Sequence, residues 1–233
     1  MMTFKMTLLA RCFLALAMVL PVAGQDAEAI MKNVRQITAL QDNLSLNGQV
    51  RGPRGKVPVT LFLQGGNIQF ALDGGKERFH LRMNENDADL LEFREGAWKN
   101  FPPAKLVQPI AASDLTYEDL ALRFLYWKNP RIVGEETLKG QKCWRIHVQN
   151  PNQKGRYKEI SVWVAQKFSA LMRVTAYDAR RQPVKQFEIT DVMKVNDLYT
   201  VEKMKVSSIQ GGRFTSHTYL EFDKPKAMAQ PRR

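Results

Sequence analysis

From Val57 to Met83 the chain alternates apolar with other residues one by one, and paired glycines interrupt the pattern twice. Val57, Val59, Leu61 and Leu63 share one parity, separated by Pro58, Thr60, Phe62 and Gln64. Gly65-Gly66 follows, then Ile68, Phe70 and Leu72, then Gly74-Gly75, then Phe79, Leu81 and Met83. A strict period of two places one set of side chains on one face of a strand. Two glycines between such runs supply the positive φ that tight hairpins need. Three strands and two turns agree on one register, so this stretch folds as an antiparallel meander with a single apolar face.

The same pattern recurs downstream. Leu91 and Phe93, then Trp98 and Phe101, form a hairpin around Gly96 that ends at Pro102-Pro103. Residues 102–112 have no period and read as a loop. In the second half, Trp144, Ile146 and Val148 alternate, the chain turns at Asn150-Pro151-Asn152, and Ile160, Val162 and Val164 alternate with Trp163 on the other face. Met172, Val174 and Ala176, then Phe187 and Ile189, mark two more strands. Residues 199–208 follow a turn at Asn196-Asp197, and 214–222 follow Gln210-Gly211-Gly212. The fold class is mainly β: about ten or eleven strands joined by hairpins, without a βαβ crossover, in one large curved antiparallel sheet or unclosed barrel.

Two helices are available to cover its apolar face. Asp26 can cap the first, in which Ile30, Val34 and Ile37 share a side at helical spacing. The second has clear start signals. Thr116 and Asp119 fit a capping box, and Leu115 and Leu120 fit the accompanying hydrophobic staple. Tyr117, Leu120, Ala121 and Phe124 then line one face, Leu125 and Trp127 widen it, and Pro130 ends it.

The N-terminus assigns a compartment. Lys5 and Arg11 precede an uncharged apolar run, 12–20, and Val22-Ala23-Gly24 places small residues ahead of Gln25. This is a signal-peptide layout, with an apolar run too short to span a bilayer. Residues 1–24 are therefore read as a signal peptide, 25–223 as one domain, and 224–233 as a basic, disordered tail in a periplasmic protein. Cys12 leaves with the signal, so Cys143 has no disulfide partner and is read as a small buried hydrophobe. The formal charge of +12 favours anionic surfaces, but no basic helix or zinc motif points to nucleic acid.

The segment Ser113-Asp114-Leu115-Thr116-Tyr117-Glu118-Asp119-Leu120 resembles the signature of LolA-like outer-membrane lipoprotein-sorting proteins. Val162-Trp163-Val164, Leu171-Met172-Arg173-Val174, Lys185 to Val192 and Tyr199 to Met204 are similar to later strands of that family, and the N-terminal helix and meander follow its order. The resemblance spans about 26–222. One departure is Ala165-Gln166, where the family often carries an acidic residue after Trp-Val. The resemblance implies an unclosed barrel with helices as a lid, a periplasmic carrier of lipoprotein acyl chains or other lipids in outer-membrane lipoprotein sorting, and membrane-associated loading and acceptor proteins as partners.

On that reading Leu61, Leu63, Phe70, Leu72, Phe79, Leu81, Trp144, Ile146, Val162 and Val174 are the candidate cavity wall. Tyr117, Leu120, Phe124 and Trp127 are the lid, and Thr116 and Asp119 hold it as caps. Asp114, Tyr117 and Glu118 are candidates to latch the lid to a strand arginine, such as a neighbour of Arg123 or Arg173. Each apolar residue would serve equally in a plain core. Catalysis has little support. Cys143 and His147 share a strand face but lie roughly 13 Å apart at 3.3 Å per residue, outside hydrogen-bond reach. His80, His147 and His217 lack metal-ligand spacing, and the reading calls for no cofactor and no enzyme. The other class considered is an envelope sensor or scaffold that binds anionic lipid or a protein partner through the basic exterior, without a cavity.

Overall fold

The structure, a computed structural model, describes residues 26–39, 44–111, 113–153, 155–195 and 198–225. The signal-peptide assignment and the last eight residues of the expected tail lie outside these, as does the Asn196-Asp197 turn. Thirteen strands form one antiparallel sheet. The first six are β1 (Leu44–Gly52), β2 (Gly55–Gln64), β3 (Asn67–Leu72), β4 (Glu77–Met83), β5 (Ala88–Arg94) and β6 (Ala97–Asn100). The other seven are β7 (Arg131–Leu138), β8 (Gln141–Gln149), β9 (Glu159–Ala165), β10 (Leu171–Tyr177), β11 (Pro183–Val195), β12 (Leu198–Gln210) and β13 (Arg213–Phe222). Within each group every strand pairs with its chain neighbours, and the two meanders meet at a single joint, β1 against β13. β6 and β7 are free edges, so the sheet is unclosed.

Local chemistry explains the hairpins. Gly211 and Gly212 take φ of +55° and +75° between the paired residues Gln210 and Arg213, the doubly left-handed turn that matches strand twist. Two strands exceed the sequence-based count, and each hides its period for a reason. In β1 the inward positions are Leu46, Gly48 and Val50, and glycine contributes no apolar signal. β7 is an edge strand with Glu135, Glu136 and Thr137 exposed, so it has little apolar face to show.

Cross-strand register sorts the side chains onto two faces. Ile146, Val162 and Val174 stand opposite one another across β8, β9 and β10, and Val174 faces Phe187 of β11. This face is covered. Helix α1 (Ala27–Ala39) packs Ala27, Ile30, Met31 and Val34 onto Ile146, Val148, Ile160, Val162 and Ala176. Asp26 caps it as expected, accepting the Glu28 N–H at 3.0 Å. Its buried stripe is rotated from the expected one. Met31 is 1% exposed and Ile37 is 37% exposed, because the sheet beneath accepts the Ala27/Ile30/Met31/Val34 side. No helix among the described residues is long and apolar enough to cross a membrane.

The second expected helix is corrected. Only Tyr117–Leu120 is α-helical, one turn, here α2. Leu122 then turns left-handed at φ +47°, and Arg123–Tyr126 continues as a 3-10 turn. A helix this short has little stability of its own, so tertiary contacts decide its course. The left-handed step lets Ala121 pack into one half of the core and Leu125 into the other. The described residues of segment 101–127 form a folded strap across the sheet.

On the uncovered face, Glu221 of β13 fastens the joint. It accepts from Gln49 Nε2 at 3.0 Å, Arg51 Nη2 at 2.9 Å and Lys203 Nζ at 2.9 Å. Its carboxyl is held down at about 2, against an ordinary 4.5, chiefly by the Arg51 hydrogen bond and then by those from Lys203 and Gln49, despite some burial. A depressed carboxyl stabilises the fold above its unfolded value and loses that contribution as pH falls towards the folded one. The wild type is therefore expected to lose stability between pH 4.5 and about 2 relative to Glu221→Gln. Urea midpoints of both proteins across that range would show it; parallel curves would refute it.

Candidate functional site

The ten expected wall residues all face the covers, but in two groups. Leu61, Leu63, Leu72, Phe79 and Leu81 are buried with Leu46, Val50, Val206 and Leu220, and the half-buried Phe70 packs beside them. Ile146, Val162 and Val174 are buried under α1, with Trp144 at the margin. Leu122, Tyr126 and Phe187 pack against both groups and connect them. The lid residues divide the same way: Tyr117 and Leu120 lie on the first group, Phe124 and Trp127 on the second.

The segment 113–119 works as a clasp, and nearly every residue in it has a separate partner. Ser113 Oγ donates to the Ile110 carbonyl at 2.7 Å and accepts the Leu115 N–H at 3.1 Å. The Asp114 carboxylate accepts from three hydroxyls on β12 and β13: Ser208 at 2.7 Å, Thr218 at 3.0 Å, and Ser216. Its own N–H donates to Thr218 Oγ1 at 2.7 Å. The Tyr117 hydroxyl donates to Glu77 of β4 at 2.9 Å. The Glu118 N–H donates to the Leu106 carbonyl at 2.8 Å, and its carboxylate accepts the Arg156 N–H at 3.4 Å. Burial pushes that carboxyl up.

At the centre lies a buried ion pair. Lys185 of β11 donates to Asp119 Oδ2 at 2.6 Å and to the Asp114 carbonyl at 2.7 Å. Asp119 also accepts the Thr116 N–H at 2.7 Å, the acidic half of the expected capping box, and the Tyr157 hydroxyl at 2.7 Å. The other half is not made, since the buried Thr116 Oγ1 has no hydrogen-bond partner and the Asp119 N–H donates to the Thr116 carbonyl at 3.1 Å. Burial and then the Asp119 charge push the Tyr157 phenol well up, so it stays a neutral donor. Two charges this deep are stable only because each has its hydrogen bonds satisfied.

The arginine latch is therefore a correction. Arg173 stands on the opposite face, 3.7 Å from Glu136 and 3.6 Å from Glu188, beside Trp163. It alternates with Val174, which faces the covers, so strand pleating turns Arg173 away. The clasp's cation is Lys185. Its signal was legible: it shares parity with Phe187 and Ile189, an inward position that a lysine occupies only with a partner. Tyr157 and the three hydroxyls had no comparable signal.

The other candidates stay apart. Cys143 is fully buried on the uncovered face with Leu138, Trp163 and Ala165, and burial pushes its thiol up, away from reactivity. His147 lies beside Ser161 and Glu159. His80 bonds Asn67 and His217 bonds Ser207, on other strands. Among the described residues no group of three His, Cys, Asp or Glu side chains is placed to hold a metal ion. Two clefts of about 280 Å³ each open at the rims, one lined by Arg78, Phe79, Glu92 and Arg94, the other by Arg131, His147 and Asn150.

A family model described as "Uncharacterized protein" matches residues 95–230. No curated protein matches the chain. Among solved structures, a DUF1329 family protein from Desulfovibrio piger superposes with TM-score 0.63 at 17% identity, covering 84% of this chain and 91% of that one. A domain ascribed to outer membrane lipoprotein sorting from Vibrio parahaemolyticus gives TM-score 0.63 at 14% identity over 85% and 92%. A LolA superfamily protein from Nitrosomonas europaea gives 0.62 at 14% over 89% and 96%. The chain is similar to these in fold, and the fold is LolA-like.

Proposed function

We propose that this chain, which belongs to the family matched over residues 95–230 and carries the LolA-like fold, is a periplasmic binder of acyl chains that takes part in outer-membrane lipoprotein sorting. One observation carries the reading. The sheet's inner face is apolar except at Lys185 and the Ser208, Ser216 and Thr218 hydroxyls, and among the described residues it is covered by α1 and the 101–127 strap, which these polar contacts fasten. A plain core would be closed by a second sheet or by long helices.

In the closed state the strap occupies the ligand's place. Leu61, Leu63, Phe70, Leu72, Phe79, Leu81, Trp144, Ile146, Val162 and Val174 would form the wall once it lifts, with Tyr117, Leu120, Phe124 and Trp127 moving as the lid. A saturated chain of about sixteen carbons gains roughly 12 kcal/mol on burial, at ~0.8 kcal/mol per methylene. Each fully buried large apolar side chain is worth about 1.5–3 kcal/mol, so the exchange of strap for acyl chain is feasible. Membrane-associated proteins would load and accept the cargo. The fold's structural relatives and the apolar site favour binding over catalysis.

The test is native mass spectrometry of the exported protein, before and after solvent extraction. Close to one acylated molecule per chain is expected, with a fluorescent fatty acid taken up again after extraction. A clean apo mass that takes up no fatty acid would refute the reading and favour a surface-binding scaffold.

A further inference from the structure

The ladder between β4 and β5 ends early. Its last pair is Phe79 with Glu92. Beyond it, β4 runs back to Glu77 against β3, while β5 runs on to Arg94 against β6. The two strands part, and the rim cleft of about 280 Å³ opens between them. Its floor is aromatic. Phe79, Phe101 and Tyr117 stack with centroids 4.8–5.9 Å apart, and Phe79 of the sheet and Phe101 of the strap belong to one buried core. The Tyr117–Glu77 hydrogen bond crosses its mouth.

The walls are charged. Lys76, Arg78, Arg94 and Lys105 line the cleft against Glu77 and Glu92. The Arg78 guanidinium lies 3.6 Å above the Phe93 ring, which fixes its plane and leaves its N–H edge free for an acceptor. Glu92 is only 7% exposed. Lys105 donates to its Oε2 at 3.1 Å, but Oε1 has no hydrogen-bond partner, with Arg94 Nη1 no nearer than 3.5 Å. A buried carboxylate oxygen without a donor is costly. A ligand that brings a donor to Glu92 and an anion to Arg78 and Arg94 would satisfy both.

We propose that the cleft between β4 and β5 binds a phosphate ester that carries its own hydrogen-bond donor, as a phosphoethanolamine headgroup does. The phosphate sits against Arg78 and Arg94, and the donor bonds to Glu92 Oε1. The acyl part, which rests on the function proposed above, continues past Phe79, Phe101 and Tyr117 into the covered face. The cleft thereby selects among amphiphiles that the apolar face alone would treat alike.

The experiment compares lysophosphatidylethanolamine, a monoacylglycerol of the same chain length, and phosphoethanolamine without a chain. Each is titrated into the exported, solvent-extracted protein below its critical micelle concentration. The wild type is expected to bind the lysolipid at least tenfold more tightly than the monoacylglycerol. Arg78→Gln/Arg94→Gln should erase that preference while leaving monoacylglycerol affinity unchanged, which also shows that the variant is folded. Raised salt should weaken the two phosphate ligands and leave the monoacylglycerol unchanged. Binding of free phosphoethanolamine alone, lost in the double variant, would keep the headgroup site and refute the acyl-chain reading. Equal affinity for the two lipids, or a preference that survives in the double variant, would overturn the headgroup site and leave the acyl-chain reading standing. No binding of any of the three would overturn both.

Discussion

Lys185→Met is expected to lower the unfolding free energy by about 3–5 kcal/mol, the usual cost of stranding one partner of a buried ion pair. The side chains of Lys185 and Asp119 are each 1% exposed. Methionine matches the lysine stem but donates nothing. Asp119 would keep the Thr116 N–H and the Tyr157 hydroxyl, and the Asp114 carbonyl would lose its lysine donor. Urea unfolding at neutral pH measures the loss. A companion Asp119→Asn in the Lys185→Met background should recover part of it, because the stranded charge is then gone. A loss below about 1 kcal/mol, the net worth of an ordinary hydrogen bond, would mean that the Lys185–Asp119 pair does little to hold the strap. The same variant bears on function. A loosened clasp should speed fatty-acid uptake if the strap is what the ligand displaces.

Gly48→Val is expected to cost about 3 kcal/mol or more, the upper range for forcing atoms into a packed site. A Cβ on Gly48 would fall 2.0 Å from the Glu221 carbonyl oxygen and 2.9 Å from the Phe222 Cα. Both are backbone atoms, so no rotamer change relieves the clash. The position is also singular in the topology. Gly48 pairs with Phe222 across β1 and β13, the one contact between strands that are not chain neighbours. If that joint yields, the two meanders separate and the apolar face splits with them. Thermal unfolding followed by circular dichroism should show a lower midpoint and a broader transition. A midpoint within a degree or two of wild type would show that the joint can shift to admit a side chain.

The strands most plainly legible in the sequence are those whose inner positions are uniformly apolar, such as β2, β3 and β9. β1 escaped because Gly48 occupies an inner position, and β7 because an edge strand needs no apolar face. The N-terminus of α2 was legible in Thr116 and Asp119, since a capping box is a local device. The length of α2 was not, because apolar spacing from Tyr117 to Trp127 fits a helix equally well as a strap. Leu122 took the left-handed turn only because two separate core groups lay on either side of it.

The sequence by itself determined the β class, the hairpin order, which side chains of most strands share a face, and the start of the covering segment. These follow from period, turn chemistry and caps, all of which act over a few residues. Tertiary structure alone decided that β1 pairs with β13, that the covered face is filled in two groups, and that Asp119 answers to Lys185, 66 residues away, instead of to Arg173. Strand pleating settles which way a side chain points, but partners across a sheet depend on which strands become neighbours. No local pattern encodes that adjacency, because it emerges only when the two meanders meet.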